Sequence, residues 1–319
     1  MVDVNGDGRA DIVGFGSWGV SVSLSTGTGF TAPTTWLSNA FNSTNGWNNE
    51  NVVPRRMVDV SGDGRPDIVG FSSVGVYVST LSAPFPDLLN TVTNGLGATT
   101  SVSYKPLTDG TVYTKEATGV YPVQDIQAPM YVVSSSASSD GIGGNYVTSY
   151  RYTGAKSHLW GGGFLGFRVV TSEDPQTGMS SSSFFRQDYP YQGLPVSSSK
   201  STASGVVLNT STTNWIFTTD PTYLSPVYHT VGMSQSVESG YDLPGGAAIS
   251  TTTTCNRYDT YGNPLYIGVW TTAGTAINCA APPVKTGMTV KETTNVYSND
   301  TANWFLGRLN SATVTSTAP

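Results

Sequence analysis

DVNGDGRAD, residues 3–11, returns 56 residues later as DVSGDGRPD, residues 59–67. The similarity extends beyond the loop: MVDVNGDGRADIVGFGSWGVSVS (1–23) lies over MVDVSGDGRPDIVGFSSVGVYVS (57–79) without a gap. A repeat of this length is the mark of a solenoid, propeller or array. Within one unit, Asp11-Ile12-Val13-Gly14-Phe15 reads as a short buried strand. After a glycine turn, Val20, Val22 and Leu24 alternate with serines, the period-2 signature of a second strand. Weaker candidates at Thr34–Leu37 and Asn51–Val58 bring the expectation to about four strands per unit, the make-up of a propeller blade. One blade cannot bury both its faces alone. Met1 aligns with Met57, so it sits inside the pattern. The expectation is therefore a piece of a longer protein, with further blades upstream.

The loop itself predicts a cation site. Asp3, Asn5, Asp7, Arg9 (through its carbonyl) and Asp11 occupy positions 1, 3, 5, 7 and 9 of an EF-hand-like ligand spacing, with Gly8 at the sharp turn. The second copy offers Asp59, Ser61, Asp63, Arg65 and Asp67. Three carboxylates within nine residues repel unless a cation lies between them, and calcium takes oxygen ligands. The bidentate glutamate of an EF-hand is missing, since Gly14 stands there, and no helical pattern flanks the loop. The expected affinity is that of extracellular modules, about 10⁻⁴–10⁻³ M. A metal-free Asp/Gly turn is the competing reading; retention of all three aspartates and the glycine in both copies favours the metal. Ser61 in place of Asn5 predicts weaker binding at the second loop.

Composition agrees with an all-β chain. Of the 319 residues only 11% are charged, against about 25% in average domains, and the long-helix formers are scarce. The formal net charge of −6 argues against nucleic acid as a partner. No apolar run reaches the roughly 20 residues of a membrane helix, and no leader-like segment precedes the acidic loop. Cys255 and Cys279 are the two cysteines; a disulfide and two free thiols are both open readings, and without nearby histidines they make no zinc site.

The repeat stops after Leu81, and Ser82-Ala83-Pro84-Phe85-Pro86 reads as a linker. Beyond it, Ala98–Lys105, Met130–Ser136, Asn145–Thr153, Phe164–Ser172 and Ser181–Asp188 are strand candidates bounded by turn formers. Tyr146, Thr148, Tyr150 and Tyr152 share one strand face. No enzyme motif is present. His158 and His229 read as structural. Glu173-Asp174 is a poor carboxylate pair, because strand neighbours point to opposite faces and Asp174–Gly178 reads as a turn. Trp160-Gly161-Gly162-Gly163 lacks the strand–loop–helix setting of a phosphate loop and reads as a corner.

These residues carry resemblances. DxNGDGxxDIVGF resembles the FG-GAP/VCBS repeat of integrin-α-type propellers, which implies a calcium-binding interaction platform. DLLNTVTNGLGATTSVSYKPLT (87–108), YVTSYRYTGAKSHLWGGGFLGFRVV (146–170) and FFRQDYPYQGLP (184–195) resemble the middle/N-terminal region of the B component of insecticidal toxin complexes (TcdB/SpvB-like), over roughly 85–200. Arg257-Tyr258-Asp259-Thr260-Tyr261-Gly262-Asn263-Pro264-Leu265 is similar to a YD (Rhs) repeat, and Asn303-Trp304-Phe305-Leu306-Gly307-Arg308-Leu309 to a phrase found near such repeats. One clear YD copy departs from the long array of that family.

The expected organisation is 1–82 as incomplete FG-GAP/VCBS blades, 83–200 as the toxin-complex B-like β region, and 201–319 as the β-rich start of an Rhs/YD shell. The resemblance implies a non-enzymatic piece of a secreted virulence protein, cytoplasmic before export. Its propeller would dock onto a translocation subunit, and its shell would enclose a toxic polypeptide. A calcium-dependent surface adhesin or carbohydrate-binding propeller is the alternative. The 17 tyrosines and 7 tryptophans suit sugar stacking as well as the filling of sheet faces, and the latter is favoured.

Overall fold

A computed structural model of the chain describes residues 1–80, 88–219, 229–243 and 246–318. The linker expected at Ser82–Pro86 lies outside the described residues. The chain forms two compact units, one of Met1–Tyr113 with Gln127–Tyr146, the other of Thr114–Ile126 with Val147–Pro319. Strands dominate both, and the sheets are antiparallel. A 3₁₀ turn at Ser43–Asn45 is capped by the Asn42 side chain.

In the first unit, β1 (Ile12–Phe15), β2 (Gly19–Ser23) and β3 (Thr34–Ser38) form one sheet, and β4 (Arg55–Val58), β5 (Asp67–Ser72) and β6 (Gly75–Ser79) form another. Each has three strands, one fewer than the repeat predicts. The repeat explains the difference. β1 and β5, and β2 and β6, occupy equivalent positions 56 residues apart. The ladder pair Val58↔Asp67 has as its counterpart the isolated bridge Val2↔Asp11. β3 has no counterpart inside the repeat, which stops after Leu81; the next strand, β7 (Thr91–Thr93), pairs with β8 (Thr99–Pro106). The strand that precedes the loop in the second copy, β4, is thus reduced to a single bridge in the first.

The two sheets share one core. Val20, Phe41, Trp47 and Ile68 are buried together, with Val13, Phe15, Leu37 and Met57 packed around them. Neither repeat closes this core alone, as expected of stacked repeats. A gap of about 190 Å³ remains between Val4, Val22, Trp36 and Met57.

Two short strands follow, β9 (Tyr113–Thr114) and β10 (Val123–Asp125), and then β11 (Tyr131–Ser139), which pairs with β8 in the first unit. The second unit is a meander in which each strand pairs with the next. It comprises β12 (Asn145–His158), β13 (Gly163–Asp174), β14 (Met179–Phe185), β15 (Pro195–Ser201), β16 (Val207–Thr219), β17 (His229–Tyr241), β18 (Ala248–Tyr258), β19 (Pro264–Thr272), β20 (Thr289–Asp300) and β21 (Phe305–Thr317). β10 adds to the far end of β12.

Many of these strands are Ser/Thr-rich and half-buried on both faces. Hydroxyl pairs bridge neighbouring strands, as in Thr171–Ser182 at 2.9 Å, Ser239–Thr251 at 2.9 Å and Thr252–Thr271 at 3.2 Å. Such cross-strand pairs each contribute about 0.2–1 kcal/mol. Apolar packing concentrates where the β19–β20 connection folds back on the sheet. There Trp270, Ile277 and Val290 are buried with Cys255, and Cys255 is bonded to Cys279 with a Cα–Cα distance of 5.5 Å. The disulfide reading of the two cysteines is the one realised.

Candidate functional site

The two acidic loops share the hydrogen bonds from both glycine amides to the first aspartate and from the arginine amide to the second, and differ in a few others. Asp3 Oδ1 accepts from Gly6 N at 2.7 Å and Oδ2 from Gly8 N at 2.8 Å; Asp59 accepts from Gly62 N at 2.6 Å and Gly64 N at 2.8 Å. Gly6, Gly8, Gly62 and Gly64 all have φ between 75° and 85°, a region open to glycine at no steric cost. That is why the D-x-x-G-x-G spacing repeats intact. Asp7 and Asp63 each accept the amide of the arginine two residues on, at 2.9 and 3.0 Å. Asp11 and Asp67 are 0% exposed. Their carboxylates take the amides of Val4 and Val60, both at 3.0 Å, and of Ser25 in the first copy and Ser61 in the second.

The last aspartate of each loop therefore works as an anchor. It starts the next strand and ties the loop entrance to that strand. The other acids curl the loop around its own amides. Among the described residues, no three histidine, cysteine or carboxylate side chains gather around one centre. The donor set is nonetheless all oxygen, which suits a hard cation. An ionised carboxylate has about four lone-pair sites. Asp3 uses two of them, on Gly6 and Gly8, whereas Asp59 also accepts Asp63 N at 3.2 Å.

The arginines play a part that ligand spacing did not reveal. The Arg9 guanidinium pairs with Asp7 at 3.3 Å and that of Arg65 with Asp63 at 2.8 Å. Positive charge is thus supplied to each loop from within. The first pair is open to solvent, while Arg65 is only 4% exposed. The second loop is built into its unit: the Thr108 hydroxyl donates to the Gly62 carbonyl. Tyr131 lies near enough that its hydroxyl pKa is raised, by burial first and by the Asp63 carboxylate next. The one sequence signal for this role is the arginine retained two residues after each Asp-Gly.

The other sequence candidates take structural places. His158 ends β12 and accepts Trp160 N at 3.2 Å. His229 opens β17. Asp174 closes the β13–β14 turn, accepting Gln176 N and the Thr177 hydroxyl at 2.9 and 2.7 Å, and these bonds hold its carboxyl below the usual range. Glu173 lies in the strand opposite Ser149 and Ser180. Gly161 and Gly163 have φ of 84° and 64° in the β12–β13 corner.

The Tyr258–Asn263 turn is a polar knot. Asp259 accepts from Tyr261 N, Asn263 N and Asn263 Nδ2, and from Asn299 Nδ2 of the next hairpin at 3.1 Å. Asn299 Oδ1 in turn accepts Gly307 N at 2.8 Å. Burial alone would raise the Asp259 carboxyl; the donors of Asn263, Asn299 and Tyr261 outweigh it and lower the pKa. Nearer β12, Glu116 pairs with Arg168, whose guanidinium holds the carboxyl below its ordinary value. Gln187 Nε2 donates to the carbonyls of Gly154 and Gly166 at 2.7 and 2.8 Å, pinning two irregular points of the β12–β13 ladder.

Comparison with known proteins shows what the chain is similar to. The crystal structure of TcdB2-TccC3 is similar over 98% of this chain and 19% of that chain, with a TM-score of 0.72 at 16% identity. A structure of the Photorhabdus luminescens Tc holotoxin pore is similar over 99% of this chain and 19% of that chain, with a TM-score of 0.71 at 15% identity. The chain thus spans about a fifth of the length of these solved chains, and the likeness is one of fold. No curated protein matches the sequence. A family model described as the insecticide toxin TcdB middle/N-terminal region matches residues 20–196, beginning inside the first repeat and well upstream of residue 85. More than half of the residues fall within that match, and the chain belongs to the insecticide toxin TcdB middle/N-terminal region family.

Proposed function

We propose that this chain is a non-enzymatic wall and docking segment of an exported toxin-complex B-component-like protein. The observation that carries the reading is the ten-strand meander of β12–β21 in a chain of this family. Each hairpin extends the sheet area without inserting a domain of its own. We read β1–β6 as FG-GAP/VCBS propeller blades that dock on a protein partner, and β18–β21 as the start of a YD-type wall. The knot of Asp259, Asn263 and Asn299 supports this, because it ties one hairpin end to the next. The solved relatives are complexes with TccC3 and a holotoxin pore, and a TccC3-like polypeptide is the partner assigned here. Co-expression of the full-length parent with such a polypeptide tests the proposal. The two are expected to co-purify, with the partner's toxic segment resistant to protease until the assembly is denatured. Independent elution, with that segment digested at the rate of the free polypeptide, refutes it.

Calcium is a second part of the reading. Asp3, Asn5, Asp7, the Arg9 carbonyl and Asp11 would hold one ion, and Asp59, Ser61, Asp63, the Arg65 carbonyl and Asp67 another, in each case as charge-balancing structural ligands. The first loop is expected to bind more tightly, because its arginine is exposed and its first aspartate carries fewer amide bonds. Calorimetric titration with calcium should give dissociation constants of about 10⁻⁴–10⁻³ M. Asp3→Ala should remove the tighter event, and Asp59→Ala the weaker one. Equal affinities overturn the ranking, and no heat at millimolar calcium removes the ion from the proposal.

A further inference from the structure

The first unit holds a cleft that neither acidic loop uses. It opens between the Asn39–Trp47 segment and the β5–β6 hairpin and has a volume of about 450 Å³, within the range of about 300–1,000 Å³ found for small-molecule sites. Asn39, Phe41, Asn45, Trp47, Ser73 and Tyr77 shape it.

The backbone at its rim is strained. Asn39 and Phe41 have φ of 57° and 51°, two of the three non-glycine residues with positive φ among the described residues. An aromatic residue there is an outlier, and such strain persists where the surroundings over-determine it, often at binding sites. Here the surroundings do so. Asn45 Nδ2 donates to the Asn39 carbonyl at 2.6 Å, and Arg55 Nη1 to the Phe41 carbonyl at 2.8 Å. Phe41 and Trp47 are buried with ring centroids 5.2 Å apart. Trp47 meets Tyr77 edge-on at 5.8 Å, so Tyr77 is braced although 48% exposed.

The chemistry of the lining narrows the ligand. No Asp, Glu, Lys, Arg or His lines the cleft, which disfavours phosphate, carboxylate and metal ligands. The Asn39 side-chain amide, the Ser73 hydroxyl and the Tyr77 hydroxyl engage no protein partner among the described residues. A half-exposed, braced ring beside neutral donors and acceptors matches a molecule with an apolar face and a fringe of hydroxyls. We infer that this cleft binds a neutral saccharide, with one pyranose ring stacked on Tyr77 and its hydroxyls meeting Asn39 and Ser73. This site is independent of the wall-and-docking reading.

The test uses the 319-residue chain and a panel of glucose, galactose, mannose, N-acetylglucosamine and lactose, followed by saturation-transfer NMR and tyrosine/tryptophan fluorescence. At least one sugar is expected to bind saturably. Tyr77→Ala should weaken it by tenfold or more, and Ser73→Trp, at an exposed turn, should block it while the circular dichroism spectrum is unchanged. The second variant decides the matter if the first does not fold. Absence of saturable binding by every sugar, or binding undiminished in Ser73→Trp, would each overturn the assignment.

Discussion

Asp109 shows how much one carboxylate can be asked to hold. Its Oδ1 accepts the amide and hydroxyl of Thr111 at 2.7 and 2.6 Å, and its Oδ2 faces Lys105 Nζ at 2.9 Å. The Thr111 hydroxyl, then Lys105, lower its pKa from 3.8 to about 2. Folding thus favours the ionised form. The stabilisation is complete above the ordinary pKa and is lost as pH falls from 3.8 towards about 2. Asp109→Asn should therefore be less stable than the wild type at neutral pH, and the gap in urea midpoints should close near pH 2. A gap that persists there contradicts the assignment. At this scale the acidic loops were legible, because Asp and Gly at fixed offsets have few other uses. The arginine side chains of the same loops were not. Spacing tells where a backbone carbonyl falls, but not that the guanidinium at the end of the same residue's side chain folds back on the preceding aspartate.

Among the elements, a glycine set into a strand beside a large ring recurs. Gly70 of β5 lies under Trp47 and Phe41, and Gly268 of β19 under the rings of Trp270 and Tyr266; a Cβ at either would collide with them. Neither glycine has positive φ, so the residue is required by the ring above it and not by the backbone, as for strand glycines at close approaches. Gly268→Ala should cost about 1–3 kcal/mol, the range for overpacking a filled core, read from denaturant midpoints. An exposed-strand alanine substitution in β21, such as Thr315→Ala, should cost clearly less. Elements marked by apolar residues were readable: β1, β2, β8, β11 and β13 lie where Ile, Val, Phe and Tyr predict strands. β15, β16 and β17 escaped because their faces are written in Ser, Thr and Asn. Their pairing depends on neighbours on both sides, and a periodicity of hydrophobicity carries no trace of it.

At the scale of the whole molecule, two compact units have separate apolar centres, one shared by the repeats and one around Trp270. Only the second contains a cross-link. Closing a loop of 24 residues between Cys255 and Cys279 stabilises by about 3–4 kcal/mol in the chain-entropy picture. Thermal unfolding should show two transitions, and Cys255→Ser/Cys279→Ser should lower one of them while leaving the other in place. A single transition that shifts as a whole would show that the units melt together. The all-β class was legible because it rests on turn residues and composition. The division into units was not, since residues 114–126 and 127–146 go to different bodies by long-range contact.

One property of the meander reaches beyond its stability. Across β14, β15 and β16, Lys200 is the only charged side chain, and hydroxyls and amides supply nearly all the polarity. A surface with so little fixed charge creates almost no field of its own. Acidic and basic polypeptides would meet it on equal terms, and neither salt nor a modest change of pH would do much to alter that indifference.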